Sequence, residues 1–312
     1  MDSVFEQSFY ERISNVNSCC VDISHDAEYI LYSAWLLSSE SILLLYNRKG
    51  DLLWEKRISG KITPFDNKDK LATFLEKDSL KRILVAINNE NDHKIHMFDI
   101  GGKTLWEEEY AGEIVTIGTG TERNGKFLVA LSAELFMFDF EGNQEWKFIT
   151  NLKISNLFYN HYIGLVTNDK MESVVYTIEP VLGREINKMR LSGSVSAISF
   201  DTQLNNIALS YYRPSKISLF QTSNGKIGFF KKPKWEFMHG KETFNSNVNA
   251  QDKNRILFFS DNEIFCFDLD GNLKWTYKAG RSITDLKFTF YGPFYFVQVY
   301  GGFSFVLPMN IY

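Results

Sequence analysis

Four stretches of the 312-residue chain carry residue types that do chemistry elsewhere. GTERNGKF, residues 120–127, nearly spells the phosphate-binding loop G-x-x-x-x-G-K-[ST]. In that loop backbone N–H groups and the lysine hold phosphate oxygens, the hydroxyl reaches magnesium, and a helix N-terminus faces the anion. Here Phe127 replaces the hydroxyl and strand-like runs flank the stretch, so a surface hairpin is expected. His93 and His96 have the H-x-x-H spacing that gathers imidazoles on one helical face around a metal. On a strand, residues three apart point to opposite faces and the rings diverge. His25, His161 and His239 stand alone. The adjacent Cys19 and Cys20 would likewise point apart, and a buried cysteine packs as a small hydrophobe. KKPKWEF, 231–237, sets Lys231, Lys232 and Lys234 beside Trp235, a combination that can hold nucleic acid or an acidic protein surface. The chain offers no G-x-S-x-G elbow and no paired catalytic carboxylates. No catalytic residue, metal ligand or cofactor is assigned.

Composition narrows the field further. Hydrophobic residues make up 44% and aromatics 15%, with 27 Phe and 15 Tyr, a bias that suits pleated, half-buried strands. The formal net charge of −4 disfavours nucleic acid as the main partner and a solvated loop is the simpler reading of the lysine stretch. No basic head followed by an apolar segment opens MDSVFEQSFYERIS, so no secretory signal is expected. The most apolar run, SILLLY at 41–46, is strand length and falls well short of the ~18 residues of a membrane span. Three cysteines do not make a disulfide framework. A cytoplasmic protein without membrane insertion is expected.

The elements that position these residues come from a repeat. YNRKGDLLW (46–54), FDIGGKTLW (98–106), FDFEGNQEW (138–146) and FDLDGNLKW (267–275) each hold Asp or Asn, Gly three places on and Trp four beyond. Weaker copies are TIEPVLGREI around Gly183 and LFQTSNGKIGF around Gly225. Gly50, Gly102, Gly142, Gly183, Gly225 and Gly271 are spaced 52, 40, 41, 42 and 46 apart, the period of a repeat architecture. Each unit reads as four short strands, the last two joined by the Gly phrase. The acidic or amide side chain bonds nearby N–H groups, Gly takes a positive φ, and Trp54, Trp106, Trp146 and Trp275 fall at one place on the last strand, where an indole can wedge between sheets. Only 66–82 approaches helical periodicity, and it reads equally well as a strand with a charged loop.

Four-stranded sheets at this period stack around an axis as a β-propeller. Six Gly phrases mark six blades, and SITDLKF, PFYFVQVY and FSFVLP supply three strands of a seventh. SFYERIS, 8–14, is the spare strand that closes the ring. The expectation is an all-β, seven-bladed, single-domain propeller with antiparallel blades near 15–58, 61–110, 112–150, 151–191, 192–230, 241–279 and 280–312 plus 4–14.

The phrase and its period resemble the quinoprotein-like and WD-repeat-like propellers over essentially the whole chain. The resemblance implies the propeller, most often a platform for partners. In quinoprotein dehydrogenases a vicinal disulfide can lie against the quinone, whereas Cys19 and Cys20 are read here as structural. Propellers also commonly bind at the channel mouth. The residues just before each inner strand, Asn15, Lys61, Glu113, Lys153, Ser194, Asn247 and Arg281, are expected to ring one mouth, and their mixed signs do not describe a simple anion or metal site. The function expected is a non-catalytic protein-interaction scaffold, monomeric by itself, whose partners are other proteins. The alternative is a quinoprotein-like enzyme or small-ligand binder at the channel mouth.

Overall fold

The structure, a computed structural model, describes residues 16–36, 40–62, 71–90, 92–120, 124–169, 172–201, 203–212, 215–223, 226–227, 232–239, 246–249, 255–280, 282–288, 294–299 and 303–308. Among them every helix or strand is a strand. The first sheet comprises Val16–Ile23 (β1), Tyr29–Leu36 (β2), Glu40–Asn47 (β3) and Leu52–Ser59 (β4). The second takes Ala72–Lys77 (β5), Leu80–Asn88 (β6), His93–Asp99 (β7) and Thr104–Tyr110 (β8). In the third are Thr116–Thr119 (β9), Phe127–Ala130 (β10), Glu134–Phe138 (β11) and Gln144–Ile149 (β12). The fourth has Ile154–Tyr159 (β13), Ile163–Asp169 (β14), Glu172–Glu179 (β15) and Arg184–Ser192 (β16). Val195–Phe200 (β17), Asn206–Tyr212 (β18), Ser215–Ser223 (β19), Lys226–Ile227 (β20) and Trp235–Met238 (β21) make the fifth. Ser246–Asn249 (β22), Arg255–Ser260 (β23), Glu263–Asp268 (β24) and Leu273–Lys278 (β25) make the sixth. Ile283–Phe288 (β26), Phe294–Val299 (β27) and Phe303–Pro308 (β28) are the described strands of the seventh.

Each sheet but the fifth, in which β19 pairs with both β20 and β21, is an antiparallel meander, and the first strands lie side by side in sequence order: β1 by β5, β5 by β9, β9 by β13, β13 by β17, β17 by β22 and β22 by β26. Burial follows from that stacking. The middle strands are covered on both faces, as in β3, where Ile42 to Tyr46 are all buried, while the outer strands alternate half-buried and exposed, as in β4. The closing strand expected from residues 8–14 lies outside the described residues.

The Gly phrase folds into one turn repeatedly. In FDFEGNQEW the Asp139 carboxylate accepts from the amides of Glu141 (3.0 Å) and Asn143 (2.8 Å), and the Gly142 amide donates to the Asp139 carbonyl (3.1 Å). Gly142 has φ +92°, followed by a one-residue register shift against β11, a turn that ends in a bulge. Asp99, Asp268 and Asn47 build the same turn. Bonds from Lys274 and Asn272 hold the Asp268 carboxyl well below the usual carboxylate range. In the fourth sheet Glu179 substitutes, its longer carboxylate reaching the amides of Val181 (2.6 Å) and Leu182 (3.0 Å).

The tryptophans join neighbouring sheets. Trp54 Nε1 donates to the Ile100 carbonyl (2.9 Å) and Trp146 Nε1 to that of Pro180 (2.8 Å), each in the turn of the following sheet. A Cβ on Gly142 would lie 2.8 Å from the Trp106 ring, and one on Gly183 2.6 Å from that of Trp146, so these glycines leave room for the indole as well as taking positive φ.

The fifth sheet departs from the expected boundary at 230. Its short pairing next to the Asn224-Gly225 turn signal is β20, while the long outer strand is β21, which pairs Leu219 with Trp235 and Lys216 with Met238. Trp235 is therefore an outer-strand tryptophan rather than a loop residue: its Nε1 donates to the Leu269 carbonyl (3.2 Å), and a Cβ on Gly271 would lie 2.8 Å from its ring. Gly225 itself lies outside the described residues.

Candidate interaction surface

Among the described residues, side chains of the preceding sheet fix three of the segments that lead from an outer strand to the next inner strand. Ser41 Oγ donates to the Gly60 carbonyl (2.6 Å) and accepts from the Ile62 amide (3.0 Å). Ser173 repeats this with Gly193 and Val195, both at 2.8 Å. In the second sheet Asn88 takes over, accepting from the Ile114 amide (3.0 Å) and donating to the Ile114 carbonyl (2.8 Å).

Three of the expected mouth residues, Lys61, Glu113 and Ser194, sit on these fixed segments, and Lys153 sits on the corresponding one between the third and fourth sheets, where backbone bonds hold it. Lys61 exchanges two backbone hydrogen bonds with Asn88, both 3.0 Å, and its ammonium lies 5.0 Å from the centre of the Trp35 ring. Glu113 and Lys153 are exposed, and Ser194 is half-buried, its carbonyl accepting from the Tyr212 amide (3.1 Å). No hydrogen bond or ion pair joins any two of these four. Asn247 is paired with Phe259 in β22, where only the backbone is described, while Asn15 and Arg281 lie outside the described residues.

Several other residues singled out in the sequence are occupied. Lys234 donates to the Leu269 carbonyl (2.9 Å) and the Asp270 carboxylate (2.8 Å), so it joins Trp235 in tying the fifth sheet to the sixth. Lys232 is exposed and Lys231 lies outside the described residues. His93 Nδ1 pairs with Asn88 Oδ1 (3.1 Å) and His96 Nδ1 with Glu107 Oε2 (3.2 Å), so the two rings serve different partners. Burial lowers the pKa of His96 against the upward pull of Glu107. The stretch GTERNGKF falls between β9 and the start of β10 at Phe127, and its Gly125 amide donates to the Glu76 carbonyl (2.9 Å).

One polar feature was not legible beforehand. Buried Asp22 accepts from Thr73 Oγ1 (2.7 Å) and the Phe74 amide (2.9 Å), and Thr73 Oγ1 lies 3.3 Å from Thr119 Oγ1. The three residues sit on β1, β5 and β9, so they stitch the first three inner strands together. Their only sequence signal is a polar residue on three short apolar runs, 51 and 46 positions apart.

No protein-family profile matches the chain, and no curated protein matches it in sequence. Solved structures do. BamB from Moraxella catarrhalis superposes with a TM-score of 0.62 at 13% identity, over 94% of this chain and 83% of that one. The Dos1 propeller gives 0.67 at 14%, covering 95% and 79%. The Cps50 (Swd1) β-propeller domain of Myceliophteria thermophila gives 0.68 at 10%, covering 94% and 96%. All are β-propellers, quinoprotein-like or WD40-like, and identities this low carry the fold and nothing finer. Sheet order, repeated turns and these superpositions agree: the chain is a β-propeller.

Proposed function

We propose that this propeller is a non-catalytic module on which other proteins assemble. The observation that carries the reading is the contrast between frame and ends. Indole clasps and serine or asparagine bridges lock consecutive sheets together, while Glu113 projects into solvent beside the Asn88 bridge and Lys153 from a segment held by backbone bonds to Ser132 and Asn168. Exposed side chains of mixed charge on a rigid frame suit a protein surface better than a single small ligand, because no hydrogen bond or ion pair joins any two of Lys61, Glu113, Lys153 and Ser194. The likeness to WD40-type propellers supports the same kind of use.

Affinity purification of the tagged chain from its own cells, read by mass spectrometry, tests this. Stoichiometric protein partners, reduced by the charge reversals Glu113→Lys and Lys153→Glu, are the expected result. A chain that comes out alone and turns over a substrate contradicts it.

A further inference from the structure

The outer strand of the second sheet is built for the same clasp as its counterparts but leaves its polar atoms unused. Trp106, Glu108 and Tyr110 alternate along β8 and all are half-buried, with Trp106 and Tyr110 facing the third sheet. Period-2 alternation puts Glu108 on that face between them. In the other described clasps the indole N–H has an acceptor: Trp54 on Ile100, Trp146 on Pro180 and Trp235 on Leu269. Trp106 Nε1 makes no hydrogen bond among the described residues. The Tyr110 hydroxyl is buried without a partner. Glu108 makes neither a hydrogen bond nor an ion pair among the described residues.

The same position in the first sheet shows what satisfaction looks like. Lys56, two residues after Trp54, donates to the Gly102 carbonyl (2.8 Å) and lies 4.2 Å from the centre of the Phe98 ring. In the third sheet the position holds Phe148, which packs edge-on against Tyr176 at 5.6 Å. Only in the second does a carboxylate stand there, in a partly desolvated place that raises its pKa. Cations on the neighbouring strands have carboxylate partners of their own: Lys94 has Asp92 (3.1 Å) and Glu107 (3.7 Å), Lys126 has Glu145 (2.7 Å), and Lys147, whose ammonium also lies 5.1 Å from the centre of the Phe136 ring, has Glu134 (2.6 Å). The buried Tyr110 hydroxyl without a partner calls for an explanation, and a carboxylate and a hydroxyl acceptor beside aromatic rings fit a guanidinium or ammonium on an aliphatic stem.

Resting on the interaction reading above, we propose that the groove between β8 and the third sheet receives an arginine or lysine side chain of a protein partner, its charge on Glu108 and its stem against Trp106 and Tyr110. Charge complementarity selects this occupant: the unpaired group is an anion, and the aromatic rings beside it accept the methylenes of a basic side chain rather than a bare ion.

The test uses the full chain with its indole N–H groups observed by NMR, the Trp106 signal being assigned through Trp106→Phe. The probe is acetyl-Ala-Arg-Ala-amide, with the uncharged citrulline peptide as control. The arginine peptide is expected to shift the Trp106 indole signal saturably, and Glu108→Gln or the citrulline exchange to weaken binding by about tenfold or more, the loss of one charge-assisted pair. Equal binding by the two peptides, unchanged binding in a folded Glu108→Gln protein, or no shift at Trp106 overturns the proposal. The failures are separable. If Glu108→Gln retains every protein that the wild type captures from lysate, the groove is wrong and the interaction reading stands. If the wild type captures none, that reading falls, and the peptide titration still decides the groove.

Discussion

Ala27 occupies the β1–β2 turn with φ +57°, the left-handed region that a β-carbon makes costly by roughly 1–2 kcal/mol. Glycine relieves that cost but loses more freedom on folding, so Ala27→Gly is expected to stabilise by about 0.5–1 kcal/mol in denaturant titration. Leu204 has nearly the same φ, +56°, but its side chain is 2% exposed within the core, so Leu204→Gly should cost about 2–5 kcal/mol despite the relieved backbone. Burial decides the sign. Glu108 gives a pH signature. Its pKa is raised in the folded chain by desolvation, so it binds a proton more tightly folded than unfolded. Stability tied to it is complete below the unfolded value of about 4.3 and is lost as pH rises through the folded value. Glu108→Gln should accordingly melt higher than the wild type at pH 7, with the gap closing toward pH 4; a lower melting temperature at pH 7 would mean that the carboxylate already has a partner inside the chain. The glycines and tryptophans of the repeat could be read in the sequence because each must meet a fixed local geometry. The isolation of Glu108 could not, since it depends on what the third sheet presents.

The turn and the indole that follows it act between elements. Gly142 faces Trp106 across the second and third sheets, and a Cβ there would meet the ring at 2.8 Å with φ at +92°. Gly142→Ala combines backbone strain with a clash and is expected to cost about 2–3 kcal/mol, part of which Trp106→Leu should restore in a double-mutant cycle. Strict additivity would show that the two do not meet. Trp235→Ala removes a ring packed on Phe267 at 5.3 Å and its bond to Leu269, and should cost about 3–5 kcal/mol, whereas a solvated loop residue would cost under ~0.5 kcal/mol. The fifth sheet was the element read least well, for a physical reason. Asn224-Gly225 is a strong local turn signal, and β19 does pair with Lys226–Ile227 next to it. The longer pairing to Trp235–Met238 takes Lys216 to Leu219 of β19, and no local rule anticipates so long an insertion between two partners of one strand.

At the scale of the whole molecule, the period of the Gly phrases was enough to anticipate an all-β propeller, because sheets of this size bury their faces only against one another. Partners are not legible in the same way: a propeller core constrains its buried positions and leaves the surface free. Closure is where sequence and stability meet. We propose that residues 8–14 complete the seventh sheet beside β28. Deleting 1–14 would then remove several backbone hydrogen bonds at about 1 kcal/mol each together with the strand's packing, enough to lower the melting temperature sharply, and a peptide of residues 1–14 added in trans should restore part of it. An unchanged melting temperature would rule the closure out. The use of the ring as an assembly platform is tested most directly by the native size of the chain in unfractionated lysate from its own cells, followed by size-exclusion chromatography and immunodetection. The account predicts that it elutes well above its own 36.2 kDa, while the purified recombinant chain elutes as a monomer. Elution at 36.2 kDa in both preparations would contradict it.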